Sequence, residues 1–561
     1  MQASTSWLCR WGVATVLFTV FFSPVVATGQ DDIFDDDLTS DSSADAAGAA
    51  DAGFGDTSGA GFGDPSGAGF GDTSDADSFG LLGDPATSSQ DPEAARAEYE
   101  EKLQQAQMLV AEQRWEEALT TLQELATVGQ DARVQVGLGI CYAETGSPDL
   151  AITALSQALV SRGAAMIPGL TEVANIYLGR VYLEKNMYRE AQQKLADARQ
   201  INPQNSEAAM LYGKALVRLA MRPSGMGGDQ SGQGQLAQAI ETLTQAIEIK
   251  PDLGEAYLER GRALMQSRRI EYAMEDLLKA VQLLGPTSDA SADLASVYSM
   301  RAAQEGQKQD GDVDKIVGDF RSALAAFESY LQGATFGRKV APWEKVDPLT
   351  QSPEKVLLSL ADLRMSLAEE LDNDESAQLY DDAIANADQI LNAPEPAPED
   401  ELRAYFIRGI GNRMLGELRP AIDEFSKANT AYQTIAGRPY TEAVLRRGIC
   451  WFHLGEYDLA LQDFESAKVT PANPYAFEPR AMFWAGLTHA NQQEYGDAIF
   501  YYTRAISASP RYIYAYLNRG LAYLNMGRLD QALEDFDFVL QQDPNNEQAN
   551  EFRAMTVANM P

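Results

Sequence analysis

Apolar and polar residues follow a helical period along most of the chain, and a sparse skeleton of small residues recurs with them. The stretches Arg446–Phe464 and Asn518–Phe536 share Arg-Gly, a second glycine, Ala-Leu and Asp-Phe at the same offsets, although little else between them matches. The skeleton returns about every 34 residues, which is typical of stacked helix hairpins. From about Glu93 onward the pattern predicts an all-α solenoid of about 10–11 hairpins.

Each repeat unit is predicted to place a glycine of its first helix against an alanine of its second helix, so that the two helix axes approach closely. A second glycine, as at Gly527, is expected to end the first helix in a left-handed cap, and a proline such as Pro544 to turn the chain towards the next unit. The predicted pairs are Gly139 with Ala151, Gly179 with Ala191, Gly213 with Ala239, Gly261 with Ala273, Gly409 with Ala421, Gly448 with Ala460, Gly486 with Ala498 and Gly520 with Ala532.

Charged residues recur in the same register. Four units carry an arginine directly before the first-helix glycine and an acid at the equivalent place on the second helix, which predicts an ion pair inside each hairpin. We expect these pairs to set register more than stability, because exposed pairs contribute only about 0–1 kcal/mol. The predicted pairs are Arg260 with Asp276, Arg408 with Glu424, Arg447 with Asp463 and Arg519 with Asp535.

This pattern resembles the tetratricopeptide repeat, whose marks are small residues at fixed places in both helices and a proline near the end of the unit. The resemblance implies a protein-binding scaffold that holds a peptide against its first helices. It also implies which residues of the C-terminal array line that groove: Phe406, Ile410, Leu445, Ile449, Phe452, Phe483, Leu487, Tyr514, Leu517, Leu521 and Leu524.

This set is unusually apolar, and two interpretations stay open: a hydrophobic groove, or residues covered by neighbouring units or by a linker. The lysine that a carboxylate-clamping member of the family needs is replaced by apolar residues such as Leu445 and Leu517, so such a clamp is not expected.

Shifts in composition divide the chain into six segments. A Pro-containing stretch without apolar period separates two helical arrays, and a helix pair with few repeat marks precedes the second array. The segments are a signal peptide (1–27), a disordered acidic arm (28–93), an N-terminal array (94–332), a linker (333–355), a degenerate helix pair with a joint (356–400), and a C-terminal array that ends in a capping helix near Asn546–Met560 (401–561).

The first segment has the order of a secretory signal. Arg10 precedes the apolar run Trp11–Phe22, and a short stretch with small residues, typical of a signal-peptidase site, ends at Ala27, after which we expect cleavage. The run is shorter than the ~20 residues of a full membrane span, although an uncleaved anchor is the alternative. Both interpretations predict an exported protein that is periplasmic, envelope-associated or secreted.

The net negative charge of the chain bears on its partners, and the distribution of charge distinguishes the N-terminal arm from the rest. The 561 residues carry a formal net charge of −38, which disfavours nucleic acid and anionic membrane surfaces as partners. The arm has no Lys or Arg and repeats a Phe-Gly-Asp unit, a composition that predicts disorder. It is interpreted as a solvated spacer, or as a segment in which Phe54, Phe62 and Phe70 contact a partner or the aspartates gather cations.

Candidate chemistry is sparse, so no catalytic, cofactor-binding or metal-binding residues are predicted. His453 and His489 lie in neighbouring first helices without zinc-ligand spacing, and a core or groove role is expected for His489. Asp310, Asp312 and Asp314 resemble the start of a calcium loop, but the glycine and the closing glutamate of such a loop are missing. Cys141 and Cys450 occupy one repeat position, where a small buried residue is expected.

The sequence therefore predicts a non-catalytic scaffold that binds a protein or peptide partner in its repeat groove. The alternative is a structural or envelope-assembly component that acts through its acidic Phe-Gly-Asp arm. The oligomeric state stays open.

Overall fold

The computed structural model describes residues 92–161, 167, 169–221, 230–308, 311–334, 352–371, 374–467 and 478–560. Within these ranges all regular structure is α-helical, in 23 helices and without strands. The predicted signal peptide, nearly all of the acidic arm and most of the predicted linker lie outside the described residues.

The helices belong to two compact units, an N-terminal unit that ends at Glu370 and a C-terminal unit that begins at Leu371. The N-terminal unit contains α1 (Pro92–Ala111), α2 (Trp115–Val128), α3 (Ala132–Glu144), α4 (Pro148–Val160), α5 (Leu170–Glu184), α6 (Tyr188–Ile201), α7 (Ser206–Ala220), α8 (Gln230–Ile249), α9 (Gly254–Gln266), α10 (Ile270–Leu284), α11 (Asp289–Gly306), α12 (Val313–Gln332) and α13 (Pro353–Glu370). The C-terminal unit contains α14 (Asp374–Leu391), α15 (Pro398–Met414), α16 (Leu418–Ala436), α17 (Thr441–His453), α18 (Tyr457–Ala467), α19 (Pro479–Asn491), α20 (Tyr495–Ala508), α21 (Ile513–Asn525), α22 (Leu529–Gln542) and α23 (Glu547–Ala558).

Within each unit, consecutive helices pack as hairpins, and the hairpins stack on one another. An odd-numbered first helix packs against the even-numbered second helix that follows it, from α1 with α2 to α11 with α12 and from α15 with α16 to α21 with α22. First helices also contact one another, from α1 to α11 in one unit and from α17 to α23 in the other. In each unit the surface made by the first helices, α15 included, is called here the first-helix face. The predicted all-α hairpin solenoid is confirmed.

A residue of positive φ ends the first helix in most hairpins. At Gly527, for example, φ is 71°, and the next N–H, that of Arg528, donates to the Tyr523 carbonyl oxygen over 2.9 Å. The glycines at this turn are Gly146, Gly416, Gly455 and Gly527. In four other hairpins a larger residue adopts the same conformation, namely Gln113, Asn186, Arg268 and Gln493. Glycine is thus favoured at the cap but not required.

The core runs along each stack as a series of layers. Phe464 on α18 packs with Trp484 on α19, and the neighbouring Phe483 packs with Tyr502 on α20. The last layer is closed by α23, whose Phe552 packs against Phe536. Each hairpin therefore depends on its neighbours for burial, as expected for a repeat protein.

Candidate functional site

The first-helix glycines make room for a large side chain of the second helix. A Cβ added at Gly520 would lie 2.7 Å from the ring of Phe536, and one added at Gly486 would lie 2.8 Å from the ring of Tyr502. The predicted alanine partners are all fully buried. The residues that meet the glycines, however, lie one helical turn after those alanines: Leu155, Leu195, Leu243, Leu277, Phe425, Phe464, Tyr502 and Phe536. A Cβ added at Gly486 would also lie 3.2 Å from the carbonyl oxygen of Ala498, and one added at Gly261 would lie 3.6 Å from that of Ala273. The two helices therefore approach closely at these alanines, and the side chain that fills the space comes from the following turn.

The four ion pairs predicted inside the hairpins are present. Three of them are two-pronged, with guanidinium N–H groups donating to both carboxylate oxygens over 2.6–2.9 Å, while Arg408 lies 3.3 Å from Glu424. All four carboxylates are buried, at 4–6% exposure. The arginine side chains keep 16–27% of their surface exposed, so the pairs are half-buried and not exposed as expected. Their contribution to stability lies between the ~0–1 kcal/mol of exposed pairs and the ~3–5 kcal/mol that breaking a fully buried pair costs.

These arginines also bind the preceding hairpin. The Nη1 of Arg519 donates to the hydroxyl of Thr503 over 3.1 Å, which ties α21 to α20 as well as to α22. A further pair, Arg301 with Asp319, has the same form between α11 and α12. The repeat alignment missed it because Arg301 and Asp319 are 18 residues apart, whereas the partners of the predicted pairs are 16 apart.

Most residues predicted to line a hydrophobic groove lie in the core. Phe406, Ile410 and Tyr514 are half-buried and pack against core clusters. The remaining eight are buried: Leu445, Ile449, Phe452, Phe483, Leu487, Leu517, Leu521 and Leu524. Adjacent first helices lie so close together that these side chains fill the space between hairpins. The set is therefore a covered interface between neighbouring repeats and not an open hydrophobic groove.

A buried ion network crosses the first helices of the N-terminal unit. Arg218 on α7 donates to both oxygens of Glu259 on α9, over 2.7 and 2.8 Å. Arg262 bonds the same glutamate and continues to Asp293 on α11. Burial acts to raise the pKa of Glu259, but Arg218 and Arg262 outweigh it and lower this pKa to about 2. The network thus locks three hairpins together through charges that the sequence alignment did not single out.

A second ion network lies at the beginning of the first helices in the C-terminal unit. Glu442 on α17 accepts hydrogen bonds from Arg446 and from Arg480 of α19, and Arg480 also donates to Glu478. Burial acts to raise the pKa of Glu442, yet the two arginines outweigh it, so that this pKa is lowered. The Arg446 guanidinium lies over the ring of Phe406, which is half-buried.

A polar cleft of about 570 Å³ opens where α7 and α9 begin. Its lining includes Asn202, Asn205, Lys250 and Glu255. Asn205 caps α7, since its side-chain oxygen accepts the N–H of Ala208 over 2.9 Å. The cleft thus contains a cationic group, Lys250, and an anionic group, Glu255, together with amide side chains. These groups can form hydrogen bonds with a polar segment of a ligand.

The other residues that were considered as metal ligands or reactive groups cap helices or lie in the core. Asp312, part of the calcium-like stretch, caps α12 by accepting the N–H groups of Asp314 and Lys315. Cys141 and Cys450 are fully buried, and burial raises the pKa of Cys141 to about 11. In the part of the chain that the structure describes, we find no helix with the length and apolar character that crossing a membrane requires.

Comparison with known proteins identifies the fold family. Family models described as tetratricopeptide repeat match residues 103–166, 226–290, 414–477, 479–512 and 513–546. The chain is a multi-repeat tetratricopeptide-repeat protein, and the predicted resemblance is confirmed.

The relatives are distant. DnaJ homolog subfamily C member 7 of Mus musculus is 22% identical over 66% of this chain and 66% of its own length. The UDP-N-acetylglucosamine–peptide N-acetylglucosaminyltransferase of Giardia intestinalis is 27% identical over 34% of this chain and 13% of its own length. A solved tetratricopeptide-repeat protein of Thermus thermophilus is 20% identical, with 43% of this chain and 98% of that chain covered and a TM-score of 0.29. The chain thus spans less than two thirds of these two curated relatives.

Proposed function

We propose that this protein is a non-catalytic scaffold that binds a segment of another protein on its first-helix face. Tetratricopeptide-repeat proteins generally mediate protein–protein interaction, and the observation that carries the proposal is the contact between successive first helices. Because of these contacts, residues from several hairpins form one continuous surface. Such a surface is long enough for an extended or helical segment of a partner.

The part of this face best suited to a partner is in the C-terminal unit. Phe406 and Ile410 on α15 and Tyr514 on α21 keep part of their apolar surface exposed. Phe406 also lies against the guanidinium of Arg446, which belongs to the ion network of Glu442. An amphipathic helix or an extended peptide with one or two apolar anchors and flanking polar groups fits this combination. Because the leucines beneath are already covered, we expect a shallow site with a few anchors and not a deep hydrophobic groove.

We extend the proposal to an absence of catalysis. The match to the Giardia transferase covers 13% of that enzyme, which is too small a share to carry its activity over to this chain. The carboxylates and guanidinium groups of the two ion networks are engaged with one another, which supports a structural role for these charges and not a catalytic one.

Export is part of the same proposal. The order of charge, apolar run and small-residue stretch in residues 1–27 supports it. The measurement is the mass of the protein isolated from cells: cleavage after Ala27 predicts a mature chain that starts at Thr28. A full-length chain in the membrane fraction would support the uncleaved anchor, and a full-length cytoplasmic chain would contradict export.

Site-specific photo-crosslinking tests the binding face. A photoreactive phenylalanine analogue replaces Tyr514 on the first-helix face or, as the matched control, Phe500, an aromatic residue on second helix α20 that is 52% exposed. We expect a discrete crosslinked protein from position 514 and none from position 500. Equal adducts from both positions, or adducts from position 500 alone, would contradict the proposed face. Loss of the adduct on deletion of residues 31–89 would favour the alternative, in which the acidic arm recruits the partner.

A further inference from the structure

Three side chains of metal-ligand type meet at the turn between α19 and α20. His489 belongs to the last turn of α19, Glu494 precedes α20, and Asp497 lies in the first turn of α20. The Nδ1 of His489 is 2.7 Å from Oε2 of Glu494, and the ligand atoms of the three residues all lie within 4.8 Å of one another. The sequence shows no recognised zinc spacing because the hairpin turn, and not a compact motif, brings them together.

Contacts outside this group hold the imidazole in place. The His489 ring stacks on Tyr501, with centroids 5.2 Å apart and an angle of 14° between the planes. The Tyr501 hydroxyl donates to Glu465 of the preceding hairpin over 2.6 Å. A ring supported on its face has little freedom to rotate, so the ligand nitrogen stays next to the carboxylates. Fixed orientation by neighbouring groups is what a metal-binding histidine requires.

Packing alone does not account for the histidine. In four other hairpins the equivalent place holds a larger aromatic residue, namely Tyr142, Tyr182, Trp451 and Tyr523, and in three it holds Leu216, Leu264 or Asn412. None of these side chains offers a nitrogen with a free lone pair. In the next hairpin the places of Glu494 and Asp497 are taken by Arg528 and Gln531, so the three ligand types do not recur together there.

We infer that His489, Glu494 and Asp497 bind one divalent transition-metal ion, and that Zn²⁺ is the ion this set fits. One imidazole nitrogen and two carboxylate oxygens are ligands that Zn²⁺ accepts, and a water molecule supplies the fourth position of a tetrahedral site. Calcium prefers six to eight oxygen ligands and is a poor match. Two carboxylates balance the charge of the ion, and the half-exposed Glu494 can withdraw from Nδ1 to admit it.

Zinc titration of the full mature chain, purified without a histidine tag, tests the site. The sequence has two histidines, so selective ¹³C labelling of the imidazole ring gives two resonances that the variants His453→Phe and His489→Phe assign. Excess Mg²⁺ and Ca²⁺ in the buffer occupy weak sites on the acidic surface. We expect one equivalent of Zn²⁺ to bind and to shift the His489 resonance alone.

The two histidine variants separate this site from general attraction to acidic groups. His489→Phe keeps a ring against Tyr501 and should lower the zinc affinity at least tenfold, whereas His453→Phe should leave it unchanged. Asp497→Asn should also weaken binding without touching the imidazole, which keeps the test valid if His489→Phe does not fold. Equal affinity in His489→Phe and the native chain, an unshifted His489 resonance, or full competition by Mg²⁺ or Ca²⁺ would each overturn the inference.

Discussion

Single side chains decide how closely the two helices of a hairpin approach. At Gly448, Gly486 and Gly520 the space that a Cβ would take is filled by an aromatic ring of the second helix. In the N-terminal unit leucines such as Leu155 and Leu195 play the same role. A glycine is thus needed here because it leaves room for a side chain of the neighbouring helix, and not because of its own backbone conformation. The residue before that ring is a buried carboxylate in some hairpins, for example Asp535 before Phe536. Its ion pair with Arg519 fixes the register of the two helices.

Replacement of Gly520 by alanine tests this packing. The new Cβ would lie 2.7 Å from the Phe536 ring, and since that ring is fully buried, we expect overpacking to lower the free energy of unfolding by about 1–3 kcal/mol. Gly496→Ala is the control, because Gly496 lies in helix α20 with nothing within 4 Å of an added Cβ. It should raise stability by about 0.4–1 kcal/mol. Urea unfolding followed by circular dichroism measures both, and equal effects would contradict the account.

Whole helices in this protein are stable only as members of a stack. Asn546 caps α23 by accepting the N–H of Ala549 over 2.9 Å, but the helix buries little else than Ala549 and Thr556. Its contribution is to cover α21 and α22, through Phe552 against Phe536. The terminal helix thus takes the role that the next hairpin takes elsewhere in the stack.

Truncation before Glu547 is therefore expected to loosen α21 and α22 first. Phe552 is partly buried, so its loss should cost less than the about 3–5 kcal/mol of a fully buried aromatic residue, but Leu517 and Leu521 lose cover as well. Hydrogen exchange resolved by peptide should show faster exchange in α21 and α22 and unchanged exchange in α15. Removal of residues 559–561 alone is the control. Uniform loss of protection across the C-terminal unit would contradict a stepwise dependence between neighbours.

At the scale of the whole molecule, the sequence predicted the architecture better than the surface. A repeat alignment predicts the helical period, the positions of the small residues and ion pairs such as Arg447 with Asp463. It can do so because the same contact recurs in several repeats. The alignment could not tell that Leu445 and Leu521 would be covered, because exposure depends on how closely successive first helices stack. It also could not reveal Arg218, Glu259 and the group around His489, because these contacts occur once and leave no period.

The buried ion network predicts how the N-terminal unit responds to acid. The pKa of Glu259 is about 2 in the folded chain, where Arg218 and Arg262 outweigh the effect of burial, and about 4.3 for an ordinary glutamate in the unfolded chain. A carboxylate with a lowered folded pKa contributes its full stabilisation above the unfolded pKa and loses it as the pH falls through the folded pKa. The contribution of Glu259 to the free energy of unfolding should therefore fall between about pH 4.5 and pH 2, by about 3 kcal/mol. Asp293 of the same network responds in the opposite direction, because burial raises its pKa.

Glu259→Gln separates this contribution from the acid response of the other carboxylates. At neutral pH the variant should be less stable by about 3–5 kcal/mol, because Arg218 stays buried without its charged partner. Between pH 4.5 and 2 its remaining stability should fall less steeply than that of the native chain. Glu255→Gln, which alters an exposed residue of the same helix, should keep the native profile. Hydrogen exchange in α7 and α9, corrected for the intrinsic effect of pH, reports the opening free energy, and parallel profiles for Glu259→Gln and the native chain would contradict the role assigned to Glu259.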